Sequence, residues 1–333
     1  MNPQSDLRIS YDILTLVFNQ LASEPSDGSL SACSQTCQML LHPCRVHLFS
    51  AIGIRESNAL KFVALLKDNP TIQKYIQELD YVTYFPPFTS EDLANTFLLL
   101  NNVKTLNCSG NDDFGVVLPP HTQHAFAHLL SCPSMRSFSI CNILDFPAAL
   151  LSSCSTLKHL AVIGCEISLE ACSTSFSAPP QLLSLDLSDN NLGKPMKHLI
   201  EMKGASGLPM LDFSHLRSLI LAVEGNQQET NLENILRLTP ELDYLEISGP
   251  YNHYAFFNTL IAKDVLLVIH LTDPDSWTQK LMLVLPTLRS LILIWDVFIN
   301  ITFHELMKIL QALVHQLNAI NEPHPHPAYN LII

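Results

Sequence analysis

The chain has 333 residues, of which 47% are hydrophobic and 15% charged, so most of it can bury a core and does not read as a disordered tail. Its formal net charge of −13 argues against sequence-independent nucleic-acid binding, which rests on Lys and Arg neutralising phosphates, and makes an acidic membrane surface an equally poor partner. Nine cysteines, an odd number, lie scattered along a chain that opens MNPQSDLRIS, with an acid and no apolar run. That pattern points to reduced thiols in the cytoplasm or nucleus rather than to a secreted disulfide framework.

In chain order, residues 9–21, ISYDILTLVFNQL, place Ile9, Ile13, Leu14, Val17, Phe18 and Leu21 at helical spacing, with Ser10 as N-cap. The turn-forming cluster SEPSDGS ends this helix. A second apolar-periodic segment runs from Leu30 to Leu41, is expected to break at Pro43, and resumes to Phe49, giving three short helices. NALKFVALLKDNP then predicts a helix, and IQKYIQELDYV ends in a strand-like segment.

From there a spacing repeats. LKHLAVIGCEI and LLSLDLSDNNL fit every position of the template L-x-x-L-x-L-x-x-N/C-x-L, and weaker copies surround them. The copies start at residues 103, 135, 157, 182, 216, 242, 265 and 288, so successive starts are 22 to 34 residues apart. This is the period of leucine-rich repeats with some insertions. In each unit, alternate apolar residues point inward while the Asn or Cys bonds backbone groups where the chain turns. No unit can bury its apolar side alone, so stacking is required. HAFAHLLSC, NLENILRL, YAFFNTLIA and FHELMKILQALVHQL carry helical spacing for the opposite side, the last as a C-terminal cap. NEPHPHPAYNLII should be an extended tail.

The expected fold is therefore α/β: a small N-terminal helical unit (1–52), linker helices and a first strand (53–102), a curved repeat solenoid (103–319) and a Pro/His-rich tail (320–333). Parallel strands would line the concave face, with helices and loops on the convex face. The longest apolar stretches, VLLVI and LILIW, are far shorter than the ~20 residues that span a bilayer, so the chain reads as soluble.

Residues 9–49 resemble an F-box, whose pattern runs Leu-Pro, Glu-Leu-Leu, Ile-Phe, Leu, then Leu, Val-Cys-Lys-x-Trp and a final Leu-Trp or Leu-Phe. Ile9-Ser10 stands at Leu-Pro, Asp12-Ile13-Leu14 at Glu-Leu-Leu, Val17-Phe18 at Ile-Phe, and Leu21 closes the helix. Leu30 opens the next segment, Thr36-Cys37-Gln38 falls at Val-Cys-Lys, Leu40 stands where Trp is common, and Leu48-Phe49 ends the match. An F-box followed by leucine-rich repeats is similar to the F-box proteins of mushroom-forming fungi. The resemblance implies a non-catalytic substrate receptor of a cullin-based ubiquitin ligase. Ile9, Ser10, Ile13, Leu14, Val17, Phe18, Leu21, Leu30 and Cys37 would dock on a Skp-type adaptor, and the repeats would hold a target protein. Short of that resemblance, the residues equally fit a leucine-rich-repeat scaffold or sensor with no ubiquitin role, whose N-terminal helices only cap the solenoid.

No phosphate loop, nucleophile elbow or H-E-x-x-H occurs, so no enzyme chemistry and no cofactor is expected. His121, His124 and His128 share one helical face, a spacing that could bind zinc, yet no acid lies in that helix to act as general base. A packed or solvated histidine face is the expectation. Cys33, Cys37 and Cys44 follow the rhythm of an apolar helix face rather than a metal knuckle. Between the pattern leucines, early repeats offer Ser, Thr and Asn, while later ones offer Tyr244, Glu246, Ser290, Ile292 and Ile294. Those five are the expected target contacts, since an apolar and aromatic patch with a polar rim resembles an interface core.

Overall fold

The computed structural model describes residues 11–23, 28–36, 38–84, 90–110, 115–168, 179–188, 199–203, 209–222, 234–248, 266–271 and 290–295, the last two as backbone. Helix α1 (Tyr11–Ser23), α2 (Gly28–Thr36) and α3 (Gln38–Leu48) pack on one another. Phe18, Leu30 and Cys44 form their buried centre, with Leu14, Leu21, Cys33, Leu40 and Leu48 packed around it. The expected break at Pro43 does not occur: α2 ends before Cys37, and Pro43 lies inside α3. A helix interior can hold a proline when its lost hydrogen bond is offset by packing, and Cys44 beside it is fully buried.

The rest of the described chain is built on one sheet. Its strands and helices are, in order, β1 (Ala51–Ile54), α4 (Glu56–Asp68), β2 (Glu78–Thr83), α5 (Glu91–Phe97), β3 (Thr105–Gly110), β4 (Val116–Val117), α6 (Pro120–Ser131), β5 (Ser137–Cys141), β6 (Ile143–Leu144), β7 (Phe146–Pro147), β8 (His159–Ile163), β9 (Ile167–Ser168), β10 (Ser184–Leu187), β11 (Ser218–Ala222), β12 (Tyr244–Ser248), β13 (Leu266–Leu271) and β14 (Ser290–Trp295). Turns of 3₁₀ helix cover Pro70–Tyr75 and Ala148–Ser153. The main sheet runs β1-β2-β3-β5-β8-β10-β11-β12-β13-β14, ten strands in chain order, and every pairing is parallel. It is an open sheet. Two small parallel pairs, β4 with β6 and β7 with β9, form beside it.

A parallel sheet needs a crossover between each pair of strands, and α4, α5, α6 and the 3₁₀ turn at Ala148–Ser153 lie in such crossovers, packed in succession. Ser90 caps α5 by accepting the Leu93 N–H at 3.2 Å. The strand register places Leu79, Leu106, Phe138, Leu160, Leu185, Leu219 and Leu245 in one inward row. From Leu106 onward these are the fourth positions of the sequence template, and all seven are buried. Their neighbours along each strand alternate outward and are half-exposed, as in Ser137, Ser139 and Cys141 around buried Phe138 and Ile140. One carbonyl per rung ties the next strand: Lys104 O accepts from Arg136 N at 2.8 Å and Ser137 N at 3.0 Å, and Arg136 O accepts from Lys158 N and His159 N at the same two distances. Under α5 and α6, Tyr81 meets Phe97 and Phe126 edge-on, with centroids 5.8 and 6.0 Å apart.

The sheet starts earlier than the sequence pattern indicates. β1, AIGI, carries no template leucines, and its pairing with β2 extends the sheet to the edge of the three-helix unit.

Gly110 ends β3 where the chain closes on the next unit, and a Cβ there would run into the Asn142 carbonyl oxygen. That oxygen also accepts the Val116 N–H at 3.0 Å. Gly110→Ala is therefore expected to cost about 1–3 kcal/mol, as overpacking against backbone does. Urea unfolding followed by circular dichroism measures it.

Candidate functional site

Two surfaces stand out: one face of α1, and the outward side of the strands. α1 is apolar on two faces. Leu14, Phe18 and Leu21 are spaced i, i+4, i+7 and turn inward, Phe18 being 2% exposed. Ile13, Leu16 and Val17, spaced i, i+3, i+4, share a second face and are 55%, 69% and 48% exposed. Of the residues that the F-box likeness assigns to an adaptor, then, Ile13 and Val17 lie open to contact. Leu14, Phe18, Leu21 and Leu30 hold the three helices together, and Ile9, Ser10 and Cys37 lie outside the described residues. Leu16 completes this face, and ILTLV carries its signal: an apolar residue three after Ile13 that the inward face does not need.

The three helices join the sheet through α3. His42 Nδ1 and the Tyr75 hydroxyl share a hydrogen bond of 2.8 Å, and the Lys74 ammonium sits 4.9 Å from the centre of the Tyr75 ring. Cys33 and Cys44 pack among the helices, and among the described residues no group of three or more His, Cys, Asp or Glu side chains is placed to hold a metal ion. His121 and His128 on α6 have buried Nε2 atoms with no hydrogen-bond partner, and His124 between them is exposed. His121 and His128 lie seven residues apart, about 10 Å along the helix axis.

Among the other described thiols, Cys165 and Cys154 are structural. Cys165, at the N/C position of its repeat, accepts the Ile143 N–H at 3.4 Å and donates to Ile163 O at 3.2 Å. Burial pushes its pKa up to about 12, so it stays a neutral thiol at ordinary pH. Burial does the same to Cys154, raised to about 11.

On the outward side of the sheet, register sets the side chains in rows. The first row includes Glu78, Thr105, Ser137, His159, Ser184, Ser218 and Tyr244; the second includes Asp80, Asn107, Ser139, Ala161, Asp186, Ile220 and Glu246. Neighbouring rungs are linked within a row: Asn107 Nδ2 donates to Asp80 Oδ1, and His159 Nδ1 bonds Ser184 Oγ at 2.8 Å. Tyr244 and Glu246, two residues apart on one strand, meet through the Tyr244 hydroxyl, which donates to Glu246 Oε2 at 2.5 Å. β14 carries Ser290, Ile292 and Ile294, with Ser290 and Ile292 in the backbone rows of Leu266 and Val268. The side-chain surroundings of those three lie outside what is described. Asp112, Asp113, Asp273, Asp275 and Trp277 lie outside the described residues as well.

The Tyr244 hydroxyl is held neutral. Burial first, and then the Glu246 carboxylate, raise its pKa from 10.0 to about 12. The folded chain thus favours the phenol over the phenolate, so this group's contribution to stability is complete below its unfolded value and is lost as pH rises through the folded one. An ultraviolet titration of wild type against Tyr244→Phe should show the missing tyrosine ionising above the ordinary range, near pH 12.

No family model matches the chain, and no curated protein matches it. Among the described residues, no helix is long and apolar enough to cross a membrane.

Proposed function

We propose that this chain is the substrate-recognition subunit of a Skp/cullin/F-box ubiquitin ligase, with α1 docking on a Skp-type adaptor and the repeats, as a curved leucine-rich-repeat solenoid, holding a target protein. The observation that carries the reading is the second apolar face of α1. A helix that already uses Leu14, Phe18 and Leu21 to close its own unit has no internal reason to expose Ile13, Leu16 and Val17 side by side. Three half-exposed or more exposed aliphatic side chains on one helix turn invite a protein partner. The stepwise F-box likeness of residues 9–49 says which partner, and the equal-register parallel strands support the repeat reading. The protein would act without catalysis of its own, in the cytoplasm or nucleus. The target would cross the later strands at Tyr244, Glu246, Ser290, Ile292 and Ile294.

The His42–Tyr75 bond favours a second reading, in which the three helices cap the sheet of a scaffold with no ubiquitin role. Co-expression with a Skp-type adaptor, followed by size-exclusion chromatography, separates the two. A complex is the result expected of the receptor; a chain that elutes alone belongs to the scaffold. For the target face, Tyr244→Ala should weaken capture of a bound protein by about tenfold or more, as aromatic anchors do. Unchanged capture by a folded variant would remove Tyr244 from the interface.

A further inference from the structure

The outward strand positions carry a charge pattern that the composition alone does not require. Glu78, Asp80, Asp186 and Glu246 stand among them, and among the described residues no Lys or Arg occupies an outward position of β1 to β12. The cations are set aside at the strand starts. Lys104, Arg136, Lys158 and Arg217 precede β3, β5, β8 and β11 by one residue, whereas Gln77, Leu183 and Asp243 hold that position before β2, β10 and β12. Arg136 Nη1 donates to Pro133 O and Met135 O, both at 2.7 Å, and Lys158 Nζ donates to Gln181 O at 3.3 Å.

We propose that the strand face takes an extended, basic segment of a partner protein, laid across the strands along the second row. This rests on the reading of that face as the target surface, extends the contact from β12 back to β2, and gives that part of the target its chemistry. Three acids of the row, Asp80, Asp186 and Glu246, stand on β2, β10 and β12, with Ser139 and Ala161 between them. At about 4.8 Å per strand, β2 to β12 covers about 29 Å. An extended chain rising about 3.3 Å per residue covers it with about nine residues. Small side chains in the middle let a backbone come close, while the acids at the two ends meet Arg or Lys. The four cations repel the same segment from the starts of β3, β5, β8 and β11 and so hold its middle to the second row. Like-charge contacts of this kind set register and exclude wrong partners.

The test uses the full chain and a fluorescein-labelled decapeptide of alternating Arg and Ser, with a Glu and Ser counterpart, read by fluorescence polarisation. Wild type should bind the Arg peptide and not the Glu peptide, and added salt should weaken binding. A triple variant, Asp80→Asn with Asp186→Asn and Glu246→Gln, should bind about tenfold or more weakly, the sum expected of three exposed ion pairs. A control with the same charge change on the helices, Glu56→Gln with Asp68→Asn and Glu91→Gln, should change binding by less than about twofold. Asp80→Asn alone leaves Asn107 an amide oxygen to bond and should weaken binding by about twofold, so the proposal stands or falls even if the triple variant misfolds. Equal loss in both triple variants, preference for the Glu peptide, or no binding of the Arg peptide overturns it. Adaptor binding is measured separately on α1, so a chain that binds the adaptor but not the peptide rejects this inference alone. A chain that binds the peptide but not the adaptor rejects only the ligase reading.

Discussion

Phe138→Ala is expected to destabilise the protein by about 3–5 kcal/mol, the range for removing a buried aromatic ring and leaving a cavity. Phe138 is fully buried at the centre of the inward row, in register with Leu106 and Leu160, and its ring lies 5.7 Å from that of Phe146. The side chain therefore sits between two neighbouring strands, with Phe146 of its own unit against it. Collapse around the gap would need two strands to shift together, against a ladder of parallel backbone bonds. Ser139→Ala, one residue on and half-exposed on the opposite side, should change stability by less than about 0.5 kcal/mol. Urea unfolding of both variants measures the difference. Similar costs at the two positions would mean that the strand is not half-buried and that the register is misassigned, because a slip of one residue exchanges the two faces.

The second large effect is a contrast within α1. Phe18→Asp places a carboxylate where 2% of the residue meets solvent, beside Leu30 and Cys44. An unpaired buried charge costs several kcal/mol, and a three-helix unit of this size has little stability to spare. That variant is expected to unfold the helices, seen as lost helical circular dichroism and early cleavage by a protease between α1 and β1. Leu16→Asp with Val17→Asp, on the exposed face, should leave the melting curve within about 2 °C of wild type, since exposed helix positions tolerate charge. Leu16→Asp with Val17→Asp thus tests docking in a folded chain, which a change at Phe18 does not.

Much of the sheet was legible because a parallel strand in repeated units has to place apolar residues at alternate positions. The eight template starts, from Val103 to Leu288, each lead into a strand of the main sheet. Even VLLVIHL, a poor match to the template, forms β13. β1 was missed because AIGI has no pattern of its own; its place is given by pairing with β2 and by Ile54 in the common core. The division between α2 and α3 was misplaced because proline is read as a local breaker, whereas here tertiary packing keeps Pro43 inside a helix.

The candidate surfaces were only partly legible. Helical spacing in ISYDILTLVFNQL marks residues as apolar without saying which of two faces each serves. Phe18 and Val17 are neighbours in sequence, yet one is buried and the other exposed. On the strands the alternation predicts which residues point outward, but not that the acids share a row. That follows from register, which sets Asp80 opposite Asn107 and Asp186 opposite Ile220. The hydrogen bond between Tyr244 and Glu246 differs in kind, since it joins two side chains two residues apart on one strand, where alternation alone brings them to one side.

The central claim is that the exposed face of α1 is an adaptor-docking surface. Its most direct measurement is size-exclusion chromatography of the chain co-expressed with a Skp-type adaptor, for wild type and for Leu16→Asp with Val17→Asp. The account predicts a co-eluting complex for wild type and a folded, separately eluting chain for the variant. A wild-type chain that elutes alone, or a variant that still co-elutes with the adaptor, would contradict it.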